Sequence, residues 1–372
     1  MAINRREWIQ RSLLASAAML VAGTSGAYGC ASAATQTVKG NPLQLNWNEN
    51  PYGPSALAEK AVNEAMKFAN RYPDDYIGKF KEQLAEVYSL KPDNFLLTAG
   101  STEILSLLGQ HVGLQDGEIL TPYPSFPTML MFGERAGASI KKVKLDANHR
   151  IDLDALSDGI SSETKLVFVC NPNNPTGTEL LTQDLKEFCR SVPENVLICI
   201  DEAYIEYSNA GSMGSMVGLV DELPNLIICR TFSKAYGLAG LRIGYAVSNK
   251  ANIDALRNRH LGFELAAGWP PLVAASATLK DQAFIKMCVE KNQEGRQIVY
   301  DAFDDWGVKF SPSSTNFVYT EHKQFDKGVV AKMEQRGILI TKWPDMYDHL
   351  RISISTPDHM RTFVEVMEDY LV

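Results

Sequence analysis

From about residue 93 onward, short runs of consecutive apolar residues alternate with stretches whose apolar positions recur at helical spacing. "NFLLT" leads into "EILSLLGQHVGL", and "EIL" at 118–120 is followed by "FPTMLMFGERAG". "KLVFVC" precedes "LTQDLKEFCRSV"; then come "VLICIDEAY", "NLIICRTFS" and "LRIGYAVS". This alternation predicts an α/β domain with a mostly parallel central sheet, placed at 71–250. Beyond about residue 250 the helices lengthen, as in "DQAFIKMCVEKNQEGRQIVYDAFDDW", and mix with short strands "NFVYT", "GILIT" and "LRISI". That change predicts a smaller α+β domain over 251–372. Residues 34–70 are too few to fold alone. They read as an N-terminal arm that packs onto the small domain or onto a partner subunit.

The first 34 residues break the pattern. "MAINRREWIQRSLLASAAMLVAGTSGAYGCASAA" has a basic start, an apolar middle and a small-residue end. That is the layout of a removable secretory signal, here residues 1–33, with "ASA" at 31–33 as a cleavage site. Its apolar part is too short and too rich in Ala, Gly and Ser for a comfortable membrane span. Arg5-Arg6 just ahead resembles a twin-arginine signal. The competing readings are a disordered leader on a cytosolic protein, and lipid attachment at Cys30, for which Tyr28-Gly29 is a poor lead-in. The expectation is export to the periplasm or beyond, with the export machinery as a passing partner.

Composition is that of an ordinary globular chain: 372 residues, 45% hydrophobic and 22% charged. The formal net charge is −8, and no basic cluster follows the leader, which argues against nucleic acid as a partner. Six cysteines are present. Cys170, Cys199 and Cys229 end or interrupt apolar runs and read as buried strand residues, with neither a disulfide framework nor metal-ligand spacing. Reduced core cysteines behind an export signal suit the twin-arginine route, which carries folded cargo.

In open α/β sheets ligands bind beyond the carboxyl ends of the strands, so the residues after each apolar run matter most. After "NFLLT" comes "AGSTE": Gly100 permits a tight turn, and Ser101 and Thr102 open a helix whose free N–H groups can hold a phosphate. After "KLVFVC" comes "NPNNPTG", a rigid turn presenting Asn174. "DEAY" places Asp201 at the end of an apolar strand, where a carboxylate needs a cationic partner, with Tyr204 three residues on. After "NLIIC" comes "TFSKAYGLAGLRIGYAVS", with Thr231, Ser233, an isolated Lys234 among small residues, and Arg242. Each has a plain structural reading: an N-cap, a turn, a capping aspartate. Together they are the groups that pyridoxal phosphate requires, namely an imine-forming lysine, an acid for the pyridinium nitrogen and a phosphate cup.

With these motifs in hand, the chain resembles the fold-type I, class I/II aminotransferases, most closely the histidinol-phosphate aminotransferase group. The resemblance runs from about residue 45 to the C-terminus. It rests on "LNWNENPYGPS", "NRYPD", "TAGSTE", "NPNNPTG", "DEAYIEY", "SKAYGLAGLRIGY" and "LRISIST" in that order. It implies a large cofactor-binding domain with a mostly parallel sheet, a smaller α+β domain, and amino-group transfer between an amino acid and a 2-oxo acid. By the same resemblance, Lys234 is the Schiff-base lysine and proton shuttle. Asp201 keeps the ring nitrogen protonated, and Tyr204 and Asn174 bind the phenolate oxygen. Ser101, Thr102, Thr231, Ser233 and Arg242 form the phosphate cup. Tyr123 in "TPYPSF" is expected to stack on the cofactor ring. Tyr72 in "NRYPD" is expected to reach the neighbouring subunit's phosphate, which implies a homodimer with shared sites. Arg351 is expected to grip the substrate α-carboxylate.

Two other chemistries share this motif set: decarboxylation of the threonine-phosphate type, and non-catalytic cofactor binding. One departure stands out. Where histidinol-phosphate aminotransferases usually carry a further arginine in the strand upstream of the Arg351 equivalent, this chain reads "GILITKW", with Thr341 in that place and Lys342 after it. Threonine lacks the planar fork, and lysine does not replace it. A free amino acid, aromatic or imidazole-bearing, is therefore expected to compete well with a phosphorylated donor.

Overall fold

The structure is a computed structural model that describes residues 42–260, 264, 267–321, 328–342 and 349–371. The leader, with Arg5, Arg6 and Cys30, lies outside the described residues. In chain order the strands are β1 (Leu43–Leu45), β2 (Phe95–Thr98), β3 (Glu118–Tyr123), β4 (Ser139–Lys144), β5 (Thr164–Cys170) and β6 (Leu197–Asp201). Then follow β7 (Leu226–Thr231), β8 (Gly244–Ser248), β9 (Lys309–Ser311), β10 (Phe317–Glu321), β11 (Ile338–Lys342) and β12 (His349–Ser353).

Seven strands form the larger sheet in the order β2-β8-β7-β6-β5-β3-β4. The pairs β3/β4, β3/β5, β5/β6 and β6/β7 are parallel, while β8 runs antiparallel to both β7 and β2. Alternate residues serve opposite faces. Val167, Val169, Ile198, Ile200 and Ile228 join one buried cluster, while Leu166, Phe168, Cys170, Cys199, Ile227 and Cys229 join the other. A sheet covered on both faces is why its strands read as unbroken apolar runs. Cys170, Cys199 and Cys229 are buried free thiols in the second cluster; Cys199 Sγ and Cys229 Sγ lie 3.5 Å apart in a thiol–thiol hydrogen bond and form no disulfide.

Sequence periodicity did not reveal β4, "SIKKVK". It is an edge strand whose Ile140 and Val143 pack only partly, and its lysines protect the open edge from further pairing.

The smaller sheet has the order β1-β11-β12-β10-β9. Apolar residues of this sheet pack with Val299 and Phe303 of the helix Gln282–Asp305 and with Met360 and Phe363 of the helix Pro357–Leu371. Two domain boundaries need correction. Ile253 and Leu256 of the helix Lys250–Arg257 pack on the larger sheet, as do Leu272, Ala274 and Ala275 of Trp269–Thr278, so the large-domain core continues past residue 250. The arm also divides: β1 pairs with β11, whereas Ala58 in the helix Ala56–Ala65 belongs to the large-domain core. Helical periodicity shows that a face is buried but not which sheet buries it.

Candidate active site

A cavity of about 420 Å³ opens beyond the carboxyl ends of β5, β6 and β7. Cys170, Asp201 and Thr231, the last residues of those three strands, all line it. Of the residues singled out in the sequence, Ser101, Thr102, Asn174, Asp201, Tyr204, Thr231, Ser233, Lys234, Arg242 and Arg351 meet there.

Lys234 Nζ donates to the carbonyls of Asn48 at 3.2 Å and Trp47 at 3.3 Å, and stands 5.6 Å from the centre of the Tyr204 ring. Burial lowers its pKa to about 8, helped by the positive charge of Arg351 and, less, of Arg242. The small residues after it divide their work. Ala239 and Gly240 line the cavity. Gly237, at φ +71°, instead receives the N-terminal segment: a Cβ there would lie 2.0 Å from the Gly53 carbonyl oxygen.

Asp201 is buried in the cavity lining, and among the described residues its carboxylate accepts only from the Ala203 N–H, at 3.1 Å. Burial raises its pKa to about 7, the Ala203 bond and Lys234 opposing. A cation set against this carboxyl would reverse that shift, and a protonated pyridine nitrogen is such a cation.

The Tyr204 hydroxyl receives Asn48 Nδ2 at 3.0 Å and Asn174 Nδ2 at 3.3 Å, and burial pushes its pKa up. Asn174 Oδ1 in turn accepts from Arg351 Nη1 at 3.0 Å, and Arg351 Nη2 donates to the Asn46 carbonyl at 2.7 Å. Tyr204, Asn174 and Arg351 thus form one hydrogen-bonded chain across the cavity wall.

At the other end, Thr231 Oγ1 donates to Ser233 Oγ at 3.0 Å, and Arg242 Nη1 donates to Ser233 Oγ at 3.3 Å and to the Ala239 carbonyl at 2.9 Å. Ser101 opens the helix Ser101–Gly113, capped by Gly100 at φ +81°. A Cβ on Gly100 would stand 2.7 Å from Arg242 Nη2, so only glycine leaves room for the guanidinium. Among the described residues no carboxylate pairs with Arg242. Hydroxyls, a helix N-terminus and an unneutralised arginine form a cup suited to a phosphate dianion. The residues present therefore fit pyridoxal phosphate, which when bound supplies an electron sink for the substrate carbanion.

Two expected residues lie elsewhere. Tyr123 ends β3 beside Lys144 of the edge strand, with Lys142 Nζ 4.4 Å from its ring centre, and does not line the cavity. Phe126, three residues on, lines the cavity instead. The reason is the length of β3, which runs on through Tyr123, so the loop reaches the cavity only three residues later. Ser125 Oγ donating to Asn173 at 2.9 Å pins that loop. Tyr72 is 78% exposed and is not part of this chain's own cavity.

Sequence reasoning also assigned no role to Trp47, Asn48 and Glu49, which line the cavity. Asn48, at φ 56°, is held by Ser353 Oγ, which receives the Asn48 N–H at 2.8 Å and donates to Asn48 Oδ1 at 2.9 Å. The motif "NWNEN" was visible, but its docking spans some three hundred residues of chain.

The sequence profile of the family described as aminotransferase class I and II matches residues 41–367. A histidinol-phosphate aminotransferase of Brevibacillus brevis is 38% identical over 299 residues, covering 80% of this chain and 81% of the relative. Histidinol-phosphate aminotransferase 2 of Pasteurella multocida is 35% identical, covering 89% and 90%. The crystal structure of histidinol-phosphate aminotransferase from Sinorhizobium meliloti, in complex with pyridoxal-5'-phosphate, superposes with a TM-score of 0.81 at 27% identity, covering 89% of this chain and 91% of that one. Cavity, cup and buried acid agree with these likenesses: the chain belongs to the class I and II aminotransferases and is a pyridoxal-phosphate-dependent transaminase.

Proposed function

We propose that the amino donor is an unphosphorylated amino acid carrying a flat ring, aromatic or imidazole, and that the acceptor is a 2-oxo acid. The observation behind this is the pairing of uncharged Thr341 with Arg351 on one face of the smaller sheet. Arg351 lines the cavity, and Thr341, directly across from it on the neighbouring strand, carries no charge. Trp47 and Phe126 add apolar ring surface, and Trp47 is 69% exposed at the cavity wall, free to cover a planar side chain.

In this reading Arg351 holds the α-carboxylate with its planar fork, and the Asn174 contact orients the guanidinium. Lys234, with its pKa lowered to about 8 in the chain without cofactor, takes and returns the Cα proton. Decarboxylation is the weaker reading, since the relatives reported above are named as aminotransferases. Specificity constants over a panel of donors test the proposal. Comparable values for histidinol phosphate and for the best free amino acid support it. A value for histidinol phosphate far above every unphosphorylated donor refutes it.

Two further readings stand beside it. Leu57, Met66, Phe68 and Tyr72 are all exposed in the single chain, a concentration of apolar surface that a second copy would cover; a homodimer sharing its sites through Tyr72 follows. The leader motif supports export by the twin-arginine route. Lys-Lys in place of Arg5-Arg6 then strands the protein inside the cell, and an unprocessed native protein found only in the cytosol refutes it.

A further inference from the structure

Away from the active site, three metal-ligating side chains converge where the turn after β4 meets the smaller sheet. His149, Glu321 and His349 bring their ligand atoms within 4.8 Å of one another. His349 opens β12 directly across from Glu321 at the end of β10, and His349 Nε2 lies 3.2 Å from Glu321 Oε2. Two ligands at about 2.0–2.1 Å from one tetrahedral zinc stand about 3.3 Å apart. That pair therefore already has the spacing of two ligands on one ion.

An ion pair alone would explain the pair but not His149. This residue sits at φ 58°, a conformation uncommon without glycine, and it faces the pair from a different part of the fold. Its Nδ1 is 2.9 Å from Ser311 Oγ. A partner on one imidazole nitrogen is the outer contact that orients a ligating histidine. Among the described residues its Nε2 makes no hydrogen bond, and is open to an ion. Tyr319 wedges the two rings, edge-on to His149 with centroids 5.3 Å apart and stacked on His349 at 5.2 Å. A cavity of about 570 Å³, lined by His149, Ser311, Tyr319 and Glu321, gives a hydrated ion a way in. Lys309 Nζ now lies 3.5 Å from Glu321 Oε1, but its side chain is 83% exposed and can withdraw into water.

We propose that His149, Glu321 and His349 bind a divalent ion of the zinc class, with water from the cavity in the fourth position. The ion ties the 146–150 turn of the large domain to β10 and β12 of the small one. Imidazole and carboxylate ligands suit such an ion, and a fourth position left to water leaves it exchangeable.

The test uses the full chain with its cofactor bound, freed of metal by a chelator and dialysed. Zn2+ uptake is measured by equilibrium dialysis and metal analysis, with Co2+ as a spectroscopic probe. The expected result is one saturable ion per chain, and an affinity at least about tenfold weaker in His149→Ala and in His349→Ala. Lys309→Ala should bind more tightly, because it removes a competing cation that a purely structural cluster would need. Far-ultraviolet circular dichroism and the cofactor's visible band check that each variant is folded. If His149→Ala does not fold, Glu321→Gln and Lys309→Ala must still shift affinity in opposite directions. No stoichiometric binding by the wild type, or undiminished binding in the His149→Ala/His349→Ala double variant, overturns the proposal.

Discussion

Thr341 and Arg351 stand opposite each other across the antiparallel pair β11/β12, and both reach one carbonyl, that of Asn46, Thr341 Oγ1 at 2.9 Å and Arg351 Nη2 at 2.7 Å. Directly opposed residues share a face of the sheet, so Thr341 presents its hydroxyl beside the guanidinium that lines the cavity. Lys342, the next residue, alternates to the other face. Installing a cation at 341 should therefore act on the substrate. Thr341→Arg is expected to raise the specificity constant for histidinol phosphate relative to a free amino acid by about tenfold to a hundredfold, the worth of one charge-assisted contact of roughly 1.5–3 kcal/mol. An unchanged ratio would place the specificity determinant elsewhere.

The buried acid has a pH signature in the cofactor-free chain. Asp201 is raised from an ordinary 3.8 to about 7, so between those values the folded chain holds a proton that the unfolded chain has lost. Its contribution to stability is full below about pH 4 and disappears as pH rises through about 7. Asp201→Asn keeps the shape without titrating. Denaturant unfolding of both apoproteins should show wild type losing stability relative to the variant across pH 4–7; parallel curves would contradict a protonated Asp201. Lys234 works in the opposite sense. Lowered from 10.5 to about 8, it sheds its proton earlier in the folded chain, so stability rises with pH between those values.

Much of this site could be read from residues at strand ends. Cys170, Asp201 and Thr231 finish apolar runs that parallel pairing brings side by side, and the loops after them line one cavity. What stayed hidden depends on distances along the chain that no local pattern encodes. The expectation that Tyr123 stacks rests on the resemblance of "TPYPSF" alone; β3 runs on through Tyr123, and Phe126 is the residue of that stretch that lines the cavity. Asn48 could not be assigned because its partners, Tyr204, Asn316 and Ser353, are remote in sequence. The His149 cluster was equally invisible, since β10/β12 pairing and a turn from the other domain create it.

The exposed stretch around Tyr72 bears on assembly. A homodimer whose sites need both chains predicts that mixing Tyr72→Phe and Lys234→Ala subunits gives heterodimer activity that departs from the mean of the two parents. Light scattering should report twice the chain mass for the wild type. A fully active monomer would contradict it.

In the proposed reaction Lys234 holds the cofactor covalently and moves the substrate proton. Borohydride reduction of the purified holoprotein, followed by proteolysis and mass spectrometry, tests it most directly. The expected result is one modified peptide, with pyridoxal phosphate fixed on Lys234, and no modification in Lys234→Ala, whose turnover falls to background. Cofactor fixed on another lysine, or wild-type turnover in Lys234→Ala, would contradict it.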